Sequence, residues 1–195
     1  MKNMKTNFKL ASILLIIGFT GCCNEQLIDT YLLSEYDKSL IPFNDYQDLI
    51  YINENGQNIK ASTQPRIINL ERDYRGPESC EYWEVESLSN FINFPQNGFS
   101  IQLGIGTFND LSFFGLEYVI PNSDNSDNEY FTELMNPFNE QVVDINLNGF
   151  EFKNVFVFNN NYLNENSKID LILYSSEGKG VELISFSDGK FLKLK

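Results

Sequence analysis

The chain contains no histidine, three cysteines and a single tryptophan. Without histidine, Ser-His-Asp and Cys-His catalysis are excluded, as are His-based zinc sites. The side chain best suited to moving protons near neutral pH is also missing. No phosphate-cradling loop or dinucleotide fingerprint occurs. Gly104-Ile105-Gly106 lacks the third glycine and the following helix, and reads as a strand bend or bulge. No apolar run approaches the ~20 residues needed to cross about 30 Å of hydrocarbon. Positive charge is the largest local absence: between Arg75 and Lys153 there is no Lys or Arg, while thirteen acids fall there, from Glu78 to Glu151.

What the chain does have begins with Lys2, Lys5 and Lys9 and no acid before Glu25. An apolar run from Leu10 to Phe19 follows, then Thr20-Gly21-Cys22. A basic start, an apolar stretch of about ten residues and small residues before a cut make an export signal. Residues 1–21 are therefore expected to be cleaved. Phe19-Thr20-Gly21-Cys22 resembles the bacterial lipobox, in which small residues precede a cysteine that is acylated and becomes the new N-terminus. The resemblance implies Cys22 as the lipid attachment site, although the pattern usually has Leu where Phe19 stands. Cys23 is the rival, but it would put Cys22 where Gly or Ala is expected. One acyl chain, at ~0.8 kcal/mol per buried methylene, anchors only marginally, and lipoproteins of this kind carry several. The expected placement is the cell envelope, lipid-anchored at the outer membrane. The expected partners are the membrane, through that lipid, and an unidentified envelope component.

Removing 1–21 leaves 174 residues, enough for one domain with a sizeable core. Residues 22–40 read as the lipidated N-terminus and a tether, and 41–195 as the domain. The signal holds three of the 14 basic residues and none of the 27 acidic ones, which leaves 11 against 27, a formal charge of −16. Such a balance opposes nucleic acid, and it opposes a basic-patch contact with anionic lipid. It fits a solvated, self-repelling surface, or an electronegative face that attracts cations or a basic partner. With Cys22 lipidated, Cys23 and Cys80 are the only possible disulfide pair, and a small buried Cys80 is the favoured reading.

The dominant period in the mature chain is two, punctuated by Asn-Gly or Asp-Gly. Residues 48–53 and 58–62 flank Asn55-Gly56 as a hairpin, because Asn and Gly accept the positive φ of a tight turn. The same logic joins 82–94 to 99–108 at Asn97-Gly98, 142–147 to 150–158 at Gly149, and 181–186 to 191–195 at Asp188-Gly189. Short runs at 111–120 and 169–174 are further strands. Glu129–Met135 reads as the one short helix, capped by Asp127 or Asn128 and stopped by Pro137. The fold class is all-β: a single antiparallel sandwich or an open curved barrel, with one short helix near 129–135.

Several short pieces resemble a set of uncharacterised envelope lipoproteins of Bacteroidota. They are the lipobox, Leu40-Ile41-Pro42-Phe43 followed by a strand and Glu54-Asn55-Gly56, Cys80-Glu81-Tyr82-Trp83-Glu84, and a tail running from Ile172 to Leu194. The resemblance implies an envelope location and a β fold and carries no activity over.

Two acidic groups bear on chemistry. Glu84 and Glu86 share a strand face beside Tyr82, with Glu81 nearby, which also describes an ordinary solvated strand. Ser123–Glu129 is dense in oxygen ligands, but Glu129 stands where the helix-loop-helix calcium pattern needs a sharp-turn glycine. No catalytic residue, no metal and no cofactor is expected. Two functions remain: a non-enzymatic binding or interaction module, or a carrier that holds lipid or acyl chains in an apolar cavity within a curved sheet.

Overall fold

The computed structural model describes residues 24–109, 111–120, 129–131, 134–159 and 168–195, and only the backbone of 129 and 130. In chain order its strands are β1 (Gln26–Tyr31), β2 (Asp48–Asn53), β3 (Asn58–Thr63), β4 (Ile67–Tyr74), β5 (Glu81–Phe94), β6 (Phe99–Phe108) and β7 (Leu111–Val119). Then come β8 (Glu129–Tyr130), β9 (Leu134–Met135), β10 (Val143–Leu147), β11 (Phe150–Asn159), β12 (Ile169–Ser175), β13 (Val181–Phe186) and β14 (Phe191–Leu194). A helix α1 (Glu35–Ser39) precedes β2, and Phe138–Glu140 forms a 3-10 turn.

Four hairpins stand where the Asn-Gly and Asp-Gly punctuation puts them. Gly56, Gly98, Gly149 and Gly189 turn them with φ between 71° and 83°, a region that costs an L side chain ~1–2 kcal/mol. The hairpins join into one sheet in the order β10-β11-β12-β13-β14-β2-β3-β5-β6-β7-β8. It curls into an open half-barrel, joined near its middle where β14 pairs with β2.

Alternation decides which face goes inside. On β5, Leu88, Asn90, Ile92 and Phe94 point inward, and on β6 Ile101, Leu103 and Ile105 do so. The curl brings β7 against β11 and β12 across the interior, where Phe114 meets Phe156, Phe158 and Tyr174 edge-on at centroid distances of 5.0–6.1 Å. Seven of the largest fully buried side chains are aromatic, so rings fill the interior. Two carry hydroxyls, and both are satisfied: Tyr51 donates to the Val181 carbonyl at 2.9 Å and Tyr174 to that of Leu40. Burial pushes both phenols well above their ordinary range. A satellite apolar cluster forms on the other side of the sheet around Phe152, Val155, Leu173 and Leu183. There Phe150, on the β10–β11 hairpin, reaches Phe191 at 5.8 Å.

Three expectations are corrected. The helix at 129–135 is absent: 129–130 and 134–135 are short strands on the edge of β7. That edge offers unpaired backbone groups, which Phe131 and Asn136 meet by donating to the Leu116 and Ser112 carbonyls at 3.1 and 3.0 Å. A helix of seven residues has too few bonds of its own to compete. The tether at 22–40 is not a tether in its described part. β1 lies parallel beside β5, α1 carries a Ser34–Asp37 capping box, and Leu33, Leu40 and Ile41 enter the core. Burying these apolar residues outweighs the entropy of a free leader. The β1–β5 pairing is also the one departure from antiparallel order among the described strands. Lastly, Cys80 is half-buried and disulfide-bonded. Its partner lies outside the described residues, where the sequence offers only Cys22 and Cys23.

Candidate functional site

β5 has more neighbours than a strand of ordinary length could take. Over residues 87–94 it pairs with β6, and over 81–85 with β1 on the same edge. Its other edge takes β4 over 82–89 and β3 at 92–93. The first half of β5 is thus the middle of a three-stranded extension, β4-β5-β1, that runs on from the barrel.

Where the extension joins the barrel, the outer face of the sheet is nearly bare. The register sets Ser89, Gly104 and Gly115 in one row across β5, β6 and β7, and Ser87, Gly106 and Phe113 in the next. A Cβ built on Gly104 would meet nothing within 4 Å. These small residues floor an open groove of about 910 Å³. Asn69 and Glu71 of β4 stand on one side, Phe113 and Glu117 of β7 on the other, and Gln102 at one end. The groove therefore offers two amides, two serine hydroxyls, two carboxylates and one aromatic ring, with backbone close at hand. No Lys, Arg or Cys lines it. It suits a neutral, hydroxyl- or amide-rich ligand, and it holds no activated nucleophile.

Gly104-Ile105-Gly106, read from sequence as a bend or bulge, is unbroken strand: both neighbours pair with it without a shift of register. The glycines remove side chains from one face and leave the ladder intact. Their spacing of two was the available signal, and the facing Gly115 could be added only once the register was known.

The acids do not assemble into an active site. Glu84 and Glu86 do share the inner face of β5, as their spacing implies. Glu86, however, is buried against Lys38 at 3.1 Å and accepts the Leu33 N–H at 2.9 Å. Glu84 accepts the Thr30 hydroxyl at 3.5 Å, while Glu81, half-buried, meets Arg75 at 2.7 Å. Each has a structural partner. A smaller polar pocket of about 570 Å³ lies between α1 and the start of β7. In it Ser112 donates to Asp37 at 2.8 Å, and Asp37 also accepts the Ser34 N–H. That carboxylate closes the cap of α1 while it holds the Ser112 hydroxyl.

Nor do the described acids between Arg75 and Lys153 gather on one face. Among the described ones, Glu78, Glu140, Asp144 and Glu151 are exposed, Glu86 points inward and Glu117 outward. Cys22, Asp110 and residues 124–128 lie outside the described residues, as does the Glu129 side chain. Among the described residues no group of His, Cys, Asp and Glu could hold a metal, and no helix is long and apolar enough to cross a membrane. Compared with the known protein families, with curated proteins and with solved structures, the chain matches none.

Proposed function

We propose that the protein is a lipid-anchored binding module of the cell envelope, held at the outer membrane through Cys22, that captures a neutral, polar ligand or partner segment without transforming it. The observation that carries the ligand half is the outer groove: amides, hydroxyls, two carboxylates and one ring around a glycine floor, with no cation lining it. Its polar groups are all fit to accept or share hydrogen bonds from a donor-rich ligand. The anchor half rests on the Thr20-Gly21-Cys22 end of the apolar leader. The filled interior favours a module over a carrier, because stacked and edge-on rings occupy the space an acyl chain would need.

Native mass spectrometry against neutral oligosaccharides and neutral peptides tests the groove. Complexes with the wild type that disappear in Gly106→Trp, whose indole would fill the floor, are the expected result. Binding that survives this substitution would place the site elsewhere. Labelled palmitate tests the anchor: it should enter the wild type and not Cys22→Ser. Label lost only in Cys23→Ser would move the attachment by one residue.

A further inference from the structure

The exposed apolar side chains of this protein are unevenly placed. Leu27 and Ile28 of β1, Leu70 and Tyr74 of β4, Phe108 at the end of β6 and Leu111 at the start of β7 are each 40–54% exposed. With Ile67 and Ile68 of β4 they make eight of the fourteen exposed large apolar side chains among the described residues, all in the extension or in the β6–β7 corner beside it, while Leu32, Tyr36, Tyr46, Ile50, Met135 and Val143 are exposed singly elsewhere. Trp83, half-buried on the outer face of β5, adjoins this group: its ring lies 6.0 Å from that of Phe108, which in turn lies 6.1 Å from Tyr31. No described strand covers the free edges of β1 and β4.

The N-terminal segment leaves the domain at this same end. Gln26 N–H donates to the Cys80 carbonyl at 2.8 Å, and Arg72 and Tyr74 hold the Glu25 carboxylate from across β5. Cys80 is disulfide-bonded, and Cys22 and Cys23 are the only other cysteines of the chain. Cys23 and Cys22 stand three and four positions before Gln26, the first residue of β1, a reach of at most about 14 Å. An acyl chain on Cys22 would therefore enter the bilayer beside the extension.

Resting on the anchored reading above, we infer that the β4-β5-β1 extension is the membrane-facing end, its apolar and aromatic side chains lying in the lipid interface while the barrel stands away. Burial of exposed Leu, Ile and Phe surface contributes about 25 cal/mol per Å² removed from water. Trp and Tyr favour the headgroup level, where one end of the ring is wet and the other is not. The contact is apolar in kind. The arginines of the tip are already held, Arg75 by Glu81 and Arg72 by Glu25 with its guanidinium over the Tyr82 ring. The net negative charge of the chain favours uncharged headgroups.

Trp83 is the single tryptophan, so its emission reports one position. The full chain, made with its own leader and purified in detergent, is reconstituted into phosphatidylcholine vesicles whose acyl chains are brominated near the headgroup. The mass of its N-terminal peptide is measured on the same preparation. The expected result is an acylated peptide and Trp83 emission about two-fold weaker than in unbrominated vesicles, at low and high salt alike. Leu27→Asp with Leu70→Asp should restore most of the emission while acylation and vesicle flotation persist. An acylated, floating chain whose emission is equal in both vesicles overturns the orientation and leaves the anchor standing. A chain that carries no acyl mass and does not float overturns the anchored reading, and the orientation with it.

Discussion

The two halves of β5 obey the same alternation and meet opposite fates. From Leu88 to Phe94 every second side chain is buried, because the curling sheet gathers that face into one core with Phe156, Phe158 and Tyr174. From Glu81 to Val85 the strand lies between β4 and β1, and only Tyr82 is buried, beneath Arg72 and beside Tyr74 of β4. β4 is exposed at every position, although Ile68, Leu70 and Tyr74 follow the period of a core strand. A period of two therefore specifies that a strand will form and which side chains share a face. Whether that face is buried depends on how far the sheet curls, which is a property of strands distant in sequence.

The largest expected effect separates the halves by solvent alone. In the barrel, Tyr51 and Tyr174 are fully buried, and their phenols are raised above an ordinary value near 10. The unfolded chain ionises them first, so their contribution is intact below about pH 10 and is lost as pH climbs beyond it. Raising pH past that point should unfold the barrel, with the two phenols titrating only as structure is lost in absorbance and circular dichroism. Next, Phe114→Ala should cost about 3–5 kcal/mol in a denaturant titration, since it opens a cavity among four rings. Gly180→Ala follows at about 2–4 kcal/mol. Gly180 holds φ 87°, and an added Cβ would lie 2.6 Å from the Phe43 ring. Lys38→Met, at the junction of the two halves, should cost about 1–3 kcal/mol by leaving Glu86 buried without its cation. Leu70→Ala on the extension should change stability by less than about 0.5 kcal/mol. A cost near that of Phe114→Ala would show that β4 is covered after all and would remove the contrast.

The hairpins were legible because each is a local event. An Asn-Gly or Asp-Gly between alternating runs specifies the turn, the register and the shared face within about twenty residues. β4 and β1 were not, for two reasons. Arg72 interrupts the apolar period of β4, and it belongs there only because it lies over Tyr82 of the neighbouring strand. β1 has no turn to announce it, since its partner begins some fifty residues later. The helix expected at 129–135 failed on the same ground: Phe131 and Leu134 can share a helix face, but the open edge of β7 offered a better match to the same backbone. Of the groove, the sequence displayed only Gly104 and Gly106. Asn69, Gln102 and Glu117 are ordinary polar residues until register sets them around a floor without side chains.

The seam between β14 and β2 bears on when the fold can form. Leu192 pairs with Asn53 and Leu194 with Tyr51, so the last strand of the chain fills the place between β13 and the first hairpin. Every other neighbouring pair between β2 and β7, or between β10 and β14, can close soon after its residues become available. The seam must wait for β14 and then close the longest loop between paired strands among the described residues, the step in which chain entropy weighs most. Until it closes, β2 and β13 are both open edges and the aromatic interior is unsealed.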